Sequence, residues 1–220
     1  MNNNVKRITL IGMFCAIAFA VVAIARIPVV LFLKYDPKDI VITLGGFIMG
    51  PMASFLISVI VSLIEMITIS DTGFIGCIMN IISTCSFACV ATVIYYRKKT
   101  IYGAIAGLFA GCMVMVIAML LWNYLLTPIY MKYPRAAIAE LLLPVFLPFN
   151  LLKGGLNAAF TFLLYKPIVT ALRKSGLIAA GDSGKTMEQS KRAKKPGLKI
   201  VALVIIVACI LWALSLKGII

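Results

Sequence analysis

Three polar side chains interrupt one of the most apolar stretches of this chain. In PFNLLKGGLNAAF, residues 148–160, the side chains of Asn150, Lys153 and Asn157 are spaced three and four positions apart, so on a helix they share one face. Amide and ammonium groups can donate hydrogen bonds to carbonyl groups. The spacing therefore predicts a polar stripe that faces a partner.

The composition identifies the environment in which this stripe lies. The chain has 220 residues, of which 63% are hydrophobic, and a mean hydropathy of +1.09. A bilayer core needs about 20 apolar residues per helical crossing, and several such runs are present. The net charge of +14 does not indicate a nucleic-acid-binding protein, because the cations stand at the ends of hydrophobic runs. The chain is therefore predicted to be an all-α integral membrane protein.

The cysteines offer no evidence for a metal centre or a disulfide framework. The chain has six cysteines, no histidine and no CxxC spacing. All six lie within apolar segments: Cys15, Cys77, Cys85, Cys89, Cys112 and Cys209. We expect them to be small buried hydrophobic residues.

Hydrophobic runs and the breakers between them predict six helices. Their bounds are about 8–26, 39–49, 51–69, 75–96, 101–126 and 143–172. The first run imitates a signal peptide but is longer than a typical h-region of about 7 to 15 residues, so we expect a retained helix. The second is too short to cross ~30 Å, and MGPM after it is a tight break. This pair is predicted to form a partial hairpin or a tilted pair beside a cavity.

The amino-acid composition changes after residue 174. Residues 175–199 are predicted to form a basic flexible linker that contacts anionic membrane lipid, and residues 200–217 an additional C-terminal transmembrane helix. Most cations fall on one side if the N-terminus is cytoplasmic, which satisfies the positive-inside rule. The cations left outside or at that interface are Arg26, Lys34, Lys38, Lys132, Arg135 and Lys217.

Polar residues on other predicted helices fall at the depth of the stripe. With this topology, Thr43, Glu65, Asn80 and Asn123 all lie in the outer half of the membrane. An ionisable residue within a span costs about 2.5 to 3.5 kcal/mol on insertion scales, so it needs a partner or a wet cavity.

Two interpretations of this convergence are open. In the first, Glu65 and Lys153 form a structural ion pair while asparagines join the helices. In the second, an outward-facing pocket binds a polar, ring-containing small molecule. Trp122, Tyr124 and the loop at Tyr35 would then stack on the ligand or cover it, although an ordinary aromatic belt also explains Trp122 and Tyr124.

Several segments resemble a known family. LKYDPKDI after the first helix, the GGFIMGP break, Glu65, Trp122-Asn123-Tyr124 and FNLLKGGLN are similar to the riboflavin-specific substrate-binding (S) subunits of energy-coupling factor (ECF) vitamin transporters. The resemblance covers about residues 5–174, so residues 1–174 are interpreted as a six-helix substrate-binding domain. It implies vitamin capture from outside a prokaryotic cell, together with a transmembrane coupling protein and two ATPases. The chain has no GxxxxGK[ST] loop, which fits this division of labour.

The resemblance also implies roles for individual residues. It makes riboflavin, with FMN as a second candidate, a transported substrate rather than a cofactor. It makes Ala16 and Ala20 the contact with the coupling protein, whereas their spacing alone fits internal packing equally well. The implied ligand-binding residues are Tyr35, Asp36, Thr43, Glu65, Asn80, Asn123, Asn150, Lys153 and Asn157.

Other functions remain open from the sequence. The same scaffold could bind another vitamin or belong to a different membrane carrier, because the fold does not fix the function. An intramembrane enzyme would need a nucleophile with a base, or a metal cluster. With no histidine and Glu65 as the only deeply placed carboxylate, we do not expect an enzyme.

Overall fold

The chain folds almost entirely into helices. The computed structural model describes residues 3–30, 33–70 and 72–174, together with residues 203, 206 and 207. The helices are α1 (Asn3–Ala25), α2 (Lys38–Met49), α3 (Pro51–Thr68), α4 (Gly73–Thr84), α5 (Val90–Lys98), α6 (Ile101–Met131), α7 (Arg135–Leu141) and α8 (Leu147–Lys174).

Two π-helical turns join neighbouring helices into longer continuous rods. The turn Cys85–Cys89 joins α4 to α5, and the turn Leu142–Phe146 joins α7 to α8. Residues 3–174 therefore contain six helical rods, which confirms the predicted number. The last rod begins at Arg135, earlier than predicted.

Five rods in the described part of the chain are long and apolar enough to cross a membrane. They span Asn4–Ala25, Pro51–Thr68, Gly73–Lys98, Ile101–Ile129 and Arg135–Leu172. The chain is therefore a multi-pass, all-α membrane protein. The predicted linker 175–199 lies outside the described residues, as does most of the predicted helix 200–217.

The short helix α2 is almost wholly enclosed by the others. Nine of its 12 residues are buried, and it packs against α1, α3 and α8. Gly50 separates it from α3 with a φ of +99°, a conformation that glycine adopts without a steric penalty. Pro51 then occupies the first position of α3, where its missing N–H is not needed. The predicted tight break is confirmed, and it carries the polar start of α2 into the protein interior.

A short β-hairpin follows α1 in place of the predicted loop. Strand β1 (Ile27–Val30) pairs antiparallel with β2 (Leu33–Tyr35). Ile27 lies opposite Tyr35, so Arg26 and Asp36 both lie at the base of the hairpin. Periodicity does not identify such short apolar strands, which explains why the sequence did not predict them.

The cysteines follow the prediction in part. The five in the described ranges are free thiols. Cys15, Cys77 and Cys112 are buried, as expected, whereas Cys85 and Cys89 on the π-helical turn are only partly buried. Cys209 lies outside the described residues.

Glycines allow α6 to lie close to α5 and to the π-helical turn before it. A Cβ atom on Gly107 would stand 2.5 Å from the carbonyl oxygen of Ala91, and one on Gly111 would stand 2.5 Å from that of Phe87. Small residues four positions apart are a common device for close helix contact in membranes. Because the opposing atoms belong to the backbone, they cannot move aside as a side chain could.

We therefore expect Gly111→Ala to destabilise the protein by roughly 1 to 3 kcal/mol through overpacking. Gly12→Ala is the matched control, because nothing lies within 4 Å of a Cβ at that exposed helical position. Alanine there removes the conformational cost of a helical glycine, about 0.5 to 1 kcal/mol. Thermal unfolding in detergent measures both variants, and equal melting temperatures would contradict the proposed close contact.

Candidate functional site

A cavity of about 270 Å³ lies between the base of the hairpin, α4, α6 and α8. This volume is close to the lower end of the range for small-molecule sites, about 300 to 1,000 Å³. Its apolar walls come from Leu33, Met79, Met119 and Phe149. The polar lining residues are Arg26, Lys34, Asp36, Thr72, Asn80, Ser83, Asn150 and Lys153. This combination suits a flat, largely apolar molecule with hydrogen-bonding edges.

Four of the nine predicted ligand residues line this cavity: Asp36, Asn80, Asn150 and Lys153. Helical periodicity explains the arrangement, because Asn150 and Lys153 are three positions apart on α8. Asn80 and Ser83 have the same spacing on α4, so Ser83 could have been found from the sequence by extending the face that carries Asn80.

Lys153 is the central cation of the cavity wall. Its Nζ lies 3.3 Å from Asp36 Oδ1 and 3.6 Å from Asp39 Oδ2. Burial disfavours the ionised Asp36 carboxyl, but the nearby positive charges of Lys153, Lys38 and Arg26 outweigh burial and lower its pKa. The alternative ion pair between Lys153 and Glu65 is wrong, since Glu65 pairs with a different lysine.

That lysine is Lys38, one of the cations expected on the outer side of the membrane or at that interface. Lys38 is 0% exposed and its Nζ lies 2.6 Å from Glu65 Oε1, so it neutralises a buried carboxylate inside the bundle instead of facing solvent. The other Glu65 oxygen accepts a hydrogen bond from Asn80 Nδ2 at 3.2 Å. Glu65 therefore fixes the orientation of the Asn80 amide instead of lining the cavity itself.

Asp39 links three further elements behind the cavity wall. Its carboxylate accepts hydrogen bonds from Thr84 Oγ1 at 2.7 Å and from Asn157 Nδ2 at 3.1 Å. Asn157 Oδ1 in turn accepts a hydrogen bond from Tyr35 Oη at 3.1 Å. Sequence reasoning missed Asp39 as a site residue. The available signal was a pair of charged residues, Lys38 and Asp39, at the start of a helix too short to cross the membrane.

The two remaining predicted ligand residues satisfy their hydrogen bonds within their own helices. Thr43 Oγ1 donates to the Asp39 carbonyl at 2.6 Å. Asn123 Nδ2 donates to the Met119 carbonyl at 2.8 Å, and Asn123 Oδ1 accepts from Thr127 at 3.0 Å. Neither residue is among those that line the cavity. Asn123 is nevertheless bonded to Met119, which forms part of the apolar wall.

The predicted aromatic groups occupy different places. Tyr35 is buried behind the cavity, where it bonds to Asn157. Trp122 lines a smaller neighbouring recess that shares Met79 with the larger cavity, and Tyr124 is 42% exposed on the outside of the bundle. The structure therefore does not bring Trp122 or Tyr124 into the lining of the larger cavity.

Small residues form an outward-facing strip on α1. Ala16 and Ala20 are both exposed, whereas Ala18 lies in the core with 0% exposure. Internal packing, one of the two interpretations of their spacing, therefore does not account for Ala16 and Ala20 in this chain.

The pairing of Lys38 with Glu65 leads to a stability prediction. Lys38→Met leaves the buried Glu65 carboxylate without its ammonium partner, which is expected to cost about 3 to 5 kcal/mol. Lys38→Met/Glu65→Gln removes the unpaired charge and should recover part of this loss. Melting temperatures in detergent without flavin measure both effects. A double variant no more stable than Lys38→Met would contradict the pairing.

Comparison with known proteins gives this site a family context. A family model described as the substrate-specific component of ECF transporters matches residues 6–165. The riboflavin transporter RibU of Staphylococcus aureus is 29% identical over 179 residues, which cover 77% of this chain and 93% of that protein. RibU of Streptococcus thermophilus is 24% identical over 183 residues, or 78% of this chain and 86% of that protein.

A solved structure extends the similarity to the fold. The S component of a bacterial ECF transporter aligns with a TM-score of 0.65 and 27% identity. The alignment covers 77% of this chain and 99% of the solved one. Members of this family are transport subunits rather than enzymes. The chain belongs to the substrate-specific components of ECF transporters.

Proposed function

We propose that this chain binds riboflavin as the substrate-capturing subunit of an ECF transporter. The observation that carries the proposal is the coincidence of two features. The chain spans most of two proteins that are named riboflavin transporters. It also places Asn80, Asn150 and Lys153 around a cavity with methionine and phenylalanine walls.

The hydrogen-bonding groups of the cavity match a flavin ring. Isoalloxazine is flat and has carbonyl and imide edges. The Lys153 ammonium can donate to a carbonyl oxygen. Asn80 and Asn150 each donate one N–H elsewhere, to Glu65 and to the Phe146 carbonyl, and this leaves their side-chain oxygens to accept from N–H or O–H groups. Such complementarity favours riboflavin or FMN over a vitamin without these edges.

The proposal includes a topology and a set of partners. The N-terminus is cytoplasmic, the cavity faces outward, and the protein lies in the plasma membrane of a prokaryote. The cations on α1, α5 and α8 support this orientation, since they gather at the ends opposite the hairpin. A transmembrane coupling protein and two ATPases complete the transporter, and the basic segment 175–199 contacts anionic lipid.

Flavin titration tests the binding site. Lys153→Met removes a donor from the cavity while preserving most of the apolar side chain, so we expect riboflavin binding to weaken by about 1.5 to 3 kcal/mol. Lys166→Met makes the same change at an exposed position of α8 and should leave binding unchanged. Quenching of flavin fluorescence by the detergent-purified full chain measures both. A parent chain without flavin affinity would overturn the proposed function.

Coupling is tested through the strip on α1. Replacing both Ala16 and Ala20 by Trp would block close approach of a partner helix, and neither residue lines the cavity. We expect normal riboflavin binding but loss of ATP-dependent uptake when the variant is expressed with the coupling module.

A matched pair of substitutions controls for the bulk of two added tryptophans. Ile117 and Leu121 on α6 are also four positions apart and are 60% and 57% exposed. Replacing both by Trp should preserve uptake. Parental uptake by the Ala16→Trp/Ala20→Trp variant would show that α1 is not the docking face.

A further inference from the structure

Two buried polar atoms at the cavity have no hydrogen-bond partner. Within the described ranges, four buried side-chain atoms are in this condition, and two of them, Arg26 Nε and Asp36 Oδ1, belong to cavity-lining residues. The other two are Ser62 Oγ and Thr161 Oγ1. An unsatisfied buried donor or acceptor costs about 1 to 3 kcal/mol. A ligand that satisfies both cavity atoms would recover this free energy.

The hairpin holds the two atoms at one end of the cavity. Arg26 immediately precedes β1 and Asp36 immediately follows β2, so both lie at the base of the hairpin, where both line the cavity. Arg26 is anchored by a hydrogen bond from Nη1 to the Ile69 carbonyl at 3.2 Å, just beyond the end of α3. Asp36 is 2% exposed, so bulk water does not satisfy its carboxylate.

The ion pair with Lys153 leaves this acceptor available. Lys153 Nζ lies 3.3 Å from Asp36 Oδ1, but the contact lacks hydrogen-bonding geometry. Asp36 Oδ1 therefore has electrostatic compensation but no donor aligned with it. Arg26 Nε is its chemical complement, because a guanidinium nitrogen only donates and a carboxylate oxygen only accepts.

We propose that Arg26 and Asp36 form the subsite that recognises the hydroxylated side chain of the bound flavin, an inference that rests on the proposed function. A hydroxyl group both accepts and donates, so neighbouring hydroxyls can accept from Arg26 Nε and donate to Asp36 Oδ1. The flavin ring gains more free energy by burial against the methionine and phenylalanine walls. The ring therefore occupies the apolar part of the cavity, and the side chain extends toward the hairpin.

Two ligands that differ only in this side chain test the subsite. Lumiflavin keeps the ring of riboflavin but carries a methyl group in place of the ribityl chain. Arg26→Gln in the full chain should weaken riboflavin binding roughly tenfold and leave lumiflavin binding unchanged. Arg135→Gln, the same substitution at an exposed position, should alter neither affinity. Fluorescence titration in detergent measures all three proteins with both ligands.

Asp36→Asn provides a second variant, since it preserves the shape of the side chain but removes its charge. It should also weaken riboflavin binding more than lumiflavin binding. Equal losses for the two ligands in both variants, or no loss in either, would overturn the subsite. Loss of FMN binding with riboflavin binding unchanged would assign Arg26 to a phosphate and would overturn it as well.

The same titrations separate this inference from the proposed function. A parent chain that binds neither flavin contradicts the function itself. A parent chain that binds riboflavin, with variants that do not distinguish it from lumiflavin, contradicts only the assignment of Arg26 and Asp36.

Discussion

The structure depends on mutual compensation of charges that have been removed from water. Two lysines and three carboxylates are buried together: Lys38, Lys153, Asp36, Asp39 and Glu65. Each would be costly alone in a bilayer, but the lysines lie within 4 Å of the carboxylates that they compensate. The Arg26 guanidinium supplies the third positive charge near this cluster. These contacts connect the hairpin base, α2, α3 and α8. A buried charge on one of these elements is therefore tolerated only where the other elements supply its partners.

This constraint explains why α2 is short and central. A helix that begins with Lys38 and Asp39 cannot face lipid at that end, and its 12 residues are enclosed by neighbouring helices instead. The enclosed charges then orient polar groups in the cavity wall and behind it. Glu65 accepts a hydrogen bond from the Asn80 amide, and Asp39 accepts one from the Asn157 amide. A hydrogen bond within the protein therefore orients the Asn80 amide before a ligand arrives, which reduces the ordering cost of binding.

Much of the fold could be predicted from hydrophobic runs and their breakers, whereas the partners of the charged residues could not. Residues such as Gly50 and Pro51 have a local signature, so the α2–α3 break was predictable. The Lys38–Glu65 pair joins residues 27 positions apart, and Lys153 contacts Asp36 from the other end of the domain. Composition assigned Lys38 to the interface because a flanking lysine usually serves topology. Only the three-dimensional arrangement shows that it neutralises a buried carboxylate.

The same difference between features with a local signature and contacts that are distant in sequence applies within the site. Asn150 and Lys153 could be found because helical spacing gives them one face, and both line the cavity. Asn123 and Thr43 share that depth but do not line the cavity, and their side chains bond to carbonyls in the preceding turn, as the side chain of Asn150 also does. A polar residue in a membrane helix has this local alternative whenever it is an amide or a hydroxyl. A lysine or a carboxylate lacks it, since one backbone carbonyl cannot balance a full charge. Buried charges are thus more specific indicators of a shared site than buried amides. Helix α1 is the opposite case, because its strip at Ala16 and Ala20 contains no group that requires a partner inside the bundle.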